Sequence, residues 1–255
     1  MKWLLFFFPI FLASQDLYIG PDIFYRNYRE KAKNGRKSKD LGWLYGFQAG
    51  YDLIQCSIPY ISADLRYAEG RTEYIGAIQN LRTGVVTPLY SHTDNNLFNI
   101  EVRAGYPFFL GRWRLIPFLG MGYQRWYRDA LDKKTGYTEV YRWAYFAEGL
   151  RISLELPCHW ETGLHLKLMQ MKMAEIEIRG FFPWTSTLSL GDKLQAEIEL
   201  PLTYSFNHFF LNLTPYFRFL PIGKSQIQKT PKGVFFEPAS NTNVYGLRLE
   251  AAILF

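Results

Sequence analysis

An all-β fold is predicted for this chain: an antiparallel up-and-down sheet of ten strands, closed on itself as a transmembrane barrel, with eight or twelve strands as the alternatives. Three observations predict it. Apolar and polar residues alternate with period two over long segments, which is the strand period and not the helical one. Phe, Tyr and Trp make up 18% of the residues while mean hydropathy stays slightly negative at −0.14, the balance expected where outward and inward residues alternate along a barrel wall. The connections between segments are short and long by turns. No apolar run after residue 15 is long enough to cross a membrane as a helix, which excludes a helical membrane bundle.

Residues 1–14 are expected to be a secretory signal peptide, followed by one barrel domain over 15–255. Lys2 supplies a single positive charge, Trp3 to Leu12 an apolar stretch, and Ala13 or Ser14 a small residue at which to cleave. The stretch is shorter than the ~20 residues of a spanning helix and contains Pro9, so it does not read as an anchor. No Cys follows it to carry a lipid.

The first strand is expected over Asp16 to Glu30, with Leu17, Ile19, Ile23 and Tyr25 on one face and Gly20, Asp22, Phe24 and Arg26 on the other. The second, Leu41 to Leu53, sets Leu41, Trp43, Tyr45, Phe47, Ala49, Tyr51 and Leu53 against Gly42, Gly46, Gln48, Gly50 and Asp52. Its second face is small and polar, as a narrow lumen requires. Further strands are expected near 57–70, 96–109, 112–128, 138–155, 159–178, 193–206, 209–219 and 241–255. In 96–109, Phe98, Ile100, Val102, Ala104, Tyr106 and Phe108 oppose Asn99, Glu101, Arg103 and Gly105. In 193–206, Leu194, Ala196, Ile198, Leu200, Leu202, Tyr204 and Phe206 oppose Gln195, Glu197, Glu199 and Thr203. Only 140–155 resists one parity, because Glu148 falls with Ile152 and Leu154, and a bulge near Gly149 is expected there.

The links after the even strands are tight, near Ile54 to Cys56, Leu110 to Gly111, Leu156 to Cys158 and Asn207 to His208. Those after the odd strands are long, near Lys31 to Asp40, Arg71 to Asn95, Asp129 to Tyr137, Arg179 to Asp192 and Leu220 to Ser240. This alternation puts both termini on one side of the membrane.

The last strand runs Tyr245-Gly246-Leu247-Arg248-Leu249-Glu250-Ala251-Ala252-Ile253-Leu254-Phe255 and stops on its aromatic residue. That ending resembles the closing strand of bacterial outer-membrane β-barrel proteins. The resemblance implies a place in the bacterial outer membrane with both termini periplasmic. It also implies an assembly signal, Tyr245, Gly246 and Phe255, read by the outer-membrane assembly machinery. It extends over nearly the whole mature chain and names no subfamily.

The expected lumen carries Asp22, Arg26, Asp52, Asp64, Arg66, Glu101, Arg103, His165, Lys167, Glu197, Glu199, Arg218, Arg248 and Glu250, acids and bases in near balance. Asp64 and Arg66 are expected to pair with Glu101 and Arg103, and closure to bring Arg248 and Glu250 near Asp22 and Arg26. Buried charges need partners, so these residues form either a hydrogen-bonded plug or the lining of a narrow channel. Barrels of about eight strands are just filled by side chains, and with bulky Phe118, Trp126 and Tyr216 pointing inward the plug is favoured. Met169, Met171 and Met173 read as lumen filling and not as a metal site; no cofactor is expected.

The formal charge of +6 concentrates in the first long loop, where Lys31, Lys33, Arg36, Lys37 and Lys39 flank the hairpin-tip pair Asn34-Gly35. Such a cluster would contact outer-membrane lipid and lipopolysaccharide phosphates, sulfated glycans or an acidic partner, or be a solvated loop tip; export argues against nucleic acid. The omptin proteases share the ten-strand count and work with an Asp pair facing a His-Asp pair at the extracellular rim. Here only Ser91-His92-Thr93-Asp94 lies on that side, with no opposing Asp cluster evident, so an enzyme is not expected. Cys56 and Cys158 both fall in short turns too far apart around the barrel to bridge, which leaves intermolecular disulfides with envelope proteins or free thiols. Function divides between a structural or surface-attachment role and a narrow porin-like diffusion channel.

Overall fold

The computed structural model describes residues 15–30, 38–55, 58–79, 86–130, 137–180, 186–230 and 233–254. The expected leader 1–14, Lys31, Lys33, Arg36, Lys37, Cys56 and Phe255 lie outside them. In chain order the strands are β1 (Gln15–Glu30), β2 (Lys39–Leu53), β3 (Tyr60–Gln79), β4 (Val86–Gly105), β5 (Phe108–Leu110), β6 (Trp113–Ala130), β7 (Thr138–Glu155) and β8 (Trp160–Arg179). They continue as β9 (Ser186–Ser189), β10 (Leu194–Glu199), β11 (Leu202–Phe206), β12 (Phe209–Ile222), β13 (Gln228–Thr230), β14 (Gly233–Phe235) and β15 (Ser240–Leu254).

Every wall pairing is antiparallel, and β15 pairs with both β12 and β1, so the sheet closes. β10 and β11 are one wall strand, since both lie between β8 and β12. Pro201 separates them because it has no N–H for the ladder, while its carbonyl still accepts from the Gly163 N–H at 2.9 Å. Counted so, the barrel has ten strands. Gly111, at φ +62°, turns the chain between β5 and β6, in a conformation that glycine adopts without cost.

Alternation sorts the side chains. Ile19, Trp43, Phe47, Ile100, Val102, Leu119, Ile198, Leu213 and Leu247 are exposed on the outer face, with no second layer over them among the described residues. Aromatic residues gather outside toward both ends. Tyr106, Phe108, Phe109, Trp113, Trp160, Phe206 and Phe209 lie near the short turns. Tyr25 and Trp43 pack edge to face at 5.5 Å toward the other end, joined by the Phe47–Tyr67 and Phe217–Tyr245 pairs at 5.9 and 5.2 Å. Soluble monomers rarely expose apolar patches beyond a few hundred Å², and this one circles the molecule. An apolar belt between aromatic girdles is the outer surface of a barrel bathed in hydrocarbon.

The structure corrects four expectations. Arg71 to Asn95 is not a long loop: β3 and β4 continue as a paired ladder to Gln79 opposite Val86. Inward Thr72 and Asn95 are hydrogen-bonded to each other at 2.7 Å, so polar residues that read as loop are buried wall. Likewise β9, paired with β8, occupies part of the link 179–192. The irregularity of the β7–β8 pair is not near Gly149. It falls where Arg142 faces Glu175 and Ala144 faces Lys172, which leaves the extra residue on β8, where Met173 has φ +50°. β7 keeps one parity throughout, and Glu148 is exposed on the outer face beside Leu119 and Leu168. The same bulge turns Met173 outward, 81% exposed, while Met169 and Met171 fill the lumen.

Candidate functional site

The lumen falls into three zones stacked along the axis. At the short-turn end lies a cavity of about 220 Å³ lined by Asp16, Tyr18, Asp52, Arg114, Arg151, Glu161, His165, Asn212, Thr214 and Glu250 among others. Arg114 pairs with Glu161 in its wall, and Arg151 reaches Asp52 and the Tyr60 hydroxyl, each at 2.7 Å. At about 30 Å³ for each liquid-density water, the space suits a small water cluster.

Above the cavity the charged residues interlock. Glu197 stands at the hub: Arg66 at 2.7 Å, Lys167 at 2.8 Å and Arg218 at 2.9 Å all close on its carboxylate. Glu199 receives Arg66 at 3.2 Å, Arg248 at 2.6 Å and the His165 ring at 3.3 Å. Arg103 pairs with Asp64 and Glu101, and Lys167 also reaches Glu101 at 2.9 Å. Tyr216 donates to Asp22 at 2.7 Å, and Asn212 to Glu250 at 2.7 Å. Buried ions are tolerated when each has a partner of opposite sign with good geometry, and this network provides it.

Pairing differs in detail from the local expectation. Arg103 does meet Asp64, but Arg66 crosses the lumen to β10 in place of its neighbour β4. Asp22 sits opposite Arg248 in register, yet Arg248 ion-pairs with Glu199 and hydrogen-bonds Gln48. Arg26 points away from both, toward Asn95 at 3.0 Å and over the Trp126 ring at 3.5 Å. Arg218 does pair with its register partner Glu197, whereas Arg66 and Arg248 reach beyond the neighbouring strands, so register alone does not select the partner.

The third zone is apolar apart from the Arg26 guanidinium over the Trp126 ring. Trp126 and Tyr141 stack at 4.5 Å, Tyr28 meets Trp126 edge-on at 5.2 Å, and Phe24, Leu44, Met171, Ile176, Leu188 and Ile222 fill the space around them. Beyond this plug, toward the long links, lies a group absent from the sequence-derived sites. Arg128 Nε is 3.1 Å from Asp40, its Nη1 is 2.8 Å from Glu139 and 3.8 Å from Glu30, and the Tyr141 hydroxyl lies 2.8 Å from Glu237. Asp40 and Glu139 have lumen parity on β2 and β7, the signal that would have found them.

Other named residues have separate places. Lys39 is half-buried at the start of β2, opposite Arg29. Tyr245 faces outward, and Gly246 faces inward, where the Tyr216 ring occupies the space of a Cβ. Cys158 is free and exposed in the β7–β8 turn. His92 is exposed on the outer face of β4, and Asp94 is held there by Arg71 at 2.9 Å. His165 lies in the lumen; His159 and His208 are exposed at the short turns.

No protein-family model matches the chain, and no curated protein matches it in sequence. Solved structures do match in fold. Outer membrane protease OmpT from Escherichia coli superimposes with a TM-score of 0.60 at 10% identity, over 95% of this chain and 97% of that one. The translocator domain of autotransporter NalP from Neisseria meningitidis gives 0.48 at 11% identity, over 95% and 89%. Outer membrane protein OprG from Pseudomonas aeruginosa gives 0.44 at 10% identity, over 95% and 96%. A shared fold does not carry a shared activity. The closed ten-strand antiparallel barrel of this chain is the fold of bacterial outer-membrane β-barrel proteins.

Proposed function

We propose that the protein is a non-conducting outer-membrane barrel with a structural or surface-attachment role. The observation that carries this reading is the plug: the Trp126–Tyr141 stack, the Arg26 guanidinium over it and the apolar side chains around them fill the lumen between the cavity and the long-link end. An ion entering it would shed its hydration shell against rings and aliphatic groups, at a cost of several kcal/mol after relaxation. Planar-bilayer recordings of the refolded protein are expected to stay silent at low voltage. Well-resolved conductance steps would overturn the reading in favour of a narrow diffusion channel.

In this reading both termini are periplasmic and the long links face outward, with the Lys31, Lys33, Arg36, Lys37 and Lys39 cluster available to phosphate or sulfate. Outward Arg125 on β6, just beyond Tyr123, offers a second basic contact to lipopolysaccharide phosphates, while Arg142 opposite it is already paired with Glu175 and Glu177. Exposed Cys158 would reach an envelope protein by disulfide exchange. Replacing the five loop bases with Ala is expected to weaken binding to lipopolysaccharide or heparin-like glycans and to reduce its salt dependence, as for a screened surface charge. Unchanged binding would remove the loop from the account. The outward placement of His92 supports a role without catalysis.

A further inference from the structure

At the long-link end, a cap formed by 223–227 and 236–240 is tied across the mouth. Gly223 N–H donates to Gly191 O at 3.2 Å, and Gly191 N–H donates to Lys224 O at 3.1 Å. Ser225 N–H donates to Glu237 O at 3.0 Å, and Glu237 N–H returns to the Ser225 hydroxyl at 2.7 Å. The backbones of Gly191 and Gly223 approach so closely that no Cβ fits at position 223. This arrangement drives the Glu237 side chain down into the barrel, where the residue is only 6% exposed.

What it meets there is mostly acidic. β7 presents Glu139 and Tyr141, β1 presents Glu30 and Tyr28, and β2 presents Asp40, whose Oδ1 has no hydrogen-bond partner. The Arg128 guanidinium of β6 is occupied by Asp40, Glu139 and, farther off, Glu30, and it lies over the rings of Tyr28 and, from β3, Tyr74. Tyr137 packs against the apolar plug and feels the charges of Glu139 and Glu30, Arg26 lies below on β1, and Lys224 of the cap turns to the Phe236 ring at 4.5 Å. Among the described residues Glu237 has no basic group within ion-pair distance.

The hydrogen bonds around Tyr141 favour one extra proton. The Tyr141 oxygen is 2.8 Å from Glu237 Oε1 and 3.2 Å from Glu139 Oε2. A phenol has one hydrogen to donate and can accept one. Arg128 already serves Glu139 at 2.8 Å, so an ionised Glu237 would keep one hydrogen bond, from the phenol, and no counter-ion; a proton on Glu237, donated to the phenol oxygen, frees the phenol hydrogen for Glu139 and removes the buried charge. We propose that Glu237, Tyr141 and Glu139 form a one-proton latch that holds the cap on the barrel mouth, shut when the shared proton is present and loosened when it leaves.

Burial, with Glu139 and Glu30 alongside, holds the Glu237 carboxyl well above the usual carboxylate range. The sign follows: a carboxyl raised in the folded state contributes its full stability below its unfolded value, and that contribution is lost as pH rises through the folded value. The cap is therefore tightest in acid.

Hydrogen–deuterium exchange of the Gly191, Gly223 and Ser225 amides, corrected for intrinsic rates, tests this on the full chain refolded in bilayers. Protection in the wild type is expected to fall about tenfold or more from about pH 5 to pH 8, the scale of releasing one linked proton. In Glu237→Gln, where an amide donates permanently, protection is expected to be high and flat over the range. Glu139→Gln, which removes one neighbouring negative charge but leaves Glu237 buried and titratable, is expected to move the fall in protection to lower pH, and a profile that does not move would overturn the shared proton. A flat wild-type profile, or a pH dependence that survives in Glu237→Gln, would overturn the latch. The wild-type profile decides the matter even if a variant does not fold.

Discussion

Trp126→Ala is expected to destabilise the folded barrel by about 3–5 kcal/mol, the range for deleting a large buried aromatic. Trp126 is 1% exposed and touches the plug on every side. Its face stacks on Tyr141, its edge meets Tyr28, the Arg26 guanidinium lies 3.5 Å over its ring, and its Nε1–H donates to Asn95 Oδ1 at 2.8 Å. Alanine would leave a cavity in a rigid wall that cannot collapse, and would remove the π face that partners a buried cation. Asn95 would keep its bond from Arg26, so the loss is mostly packing. Urea titration in micelles, with Trp126→Phe as a smaller truncation, reads the effect; a shift below about 1 kcal/mol would mean that the plug is not packed as described.

Glu197→Leu is expected to cost a similar amount, about 3–5 kcal/mol, for a different reason: it breaks a buried ion network by removing one sign. Arg66, Lys167 and Arg218 all close on this carboxylate, which is 3% exposed. Arg66 would retain Glu199 and Lys167 would retain Glu101, but among the described residues Arg218 has no second acid in contact. Glu197→Gln, which preserves an acceptor oxygen, is expected to cost less. The contrast lies on the outer face, where Arg71 and Asp94 are 62% and 44% exposed. Such a solvated pair contributes about 0–1 kcal/mol, so Asp94→Ala should leave stability nearly unchanged. Equal losses for Glu197→Leu and Asp94→Ala in parallel unfolding curves would contradict a water-poor lumen.

These two sites also show what was legible in the residues alone. The parity of Glu197 with Gln195 and Glu199, against Leu194, Ala196 and Ile198, places it inside without any structure. The inward direction of Trp126 follows in the same way from its alternation with Tyr123 and Arg125. Partners were less legible. Strand register brings Arg66 beside Asn99, but its reach carries it across the lumen to Glu197, a choice made by side-chain length and not by spacing.

The mouth was the least legible part. Its acidic cluster draws on Glu30, Asp40, Glu139 and Glu237, which come from four separate stretches, one of them not a strand. Beginning β2 at Leu41 left Asp40 in a loop, whereas the ladder starts at Lys39 and gives Asp40 lumen parity. The stretch 71–95 misled for a related reason: Thr72, Thr93 and Asn95 are polar because they hydrogen-bond inside the wall, not because they meet solvent. Glu148 misled in the opposite direction. A charge sharing the parity of Ile152 and Leu154 suggests a break in register, but the ladder around it stays intact and the carboxylate faces outward.

Spin labels on cysteines placed singly at Phe47, Ile100, Leu119, Ile198 and Leu247, in a chain without Cys56 and Cys158, test the surrounding medium most directly. In bilayers each label is expected to collide readily with dissolved oxygen and rarely with a water-soluble nickel chelate, while a label at inward Gln48 collides little with either. Free access of the chelate to the outer labels, or a folded protein that stays dispersed without detergent, would contradict a sheet whose apolar side faces hydrocarbon.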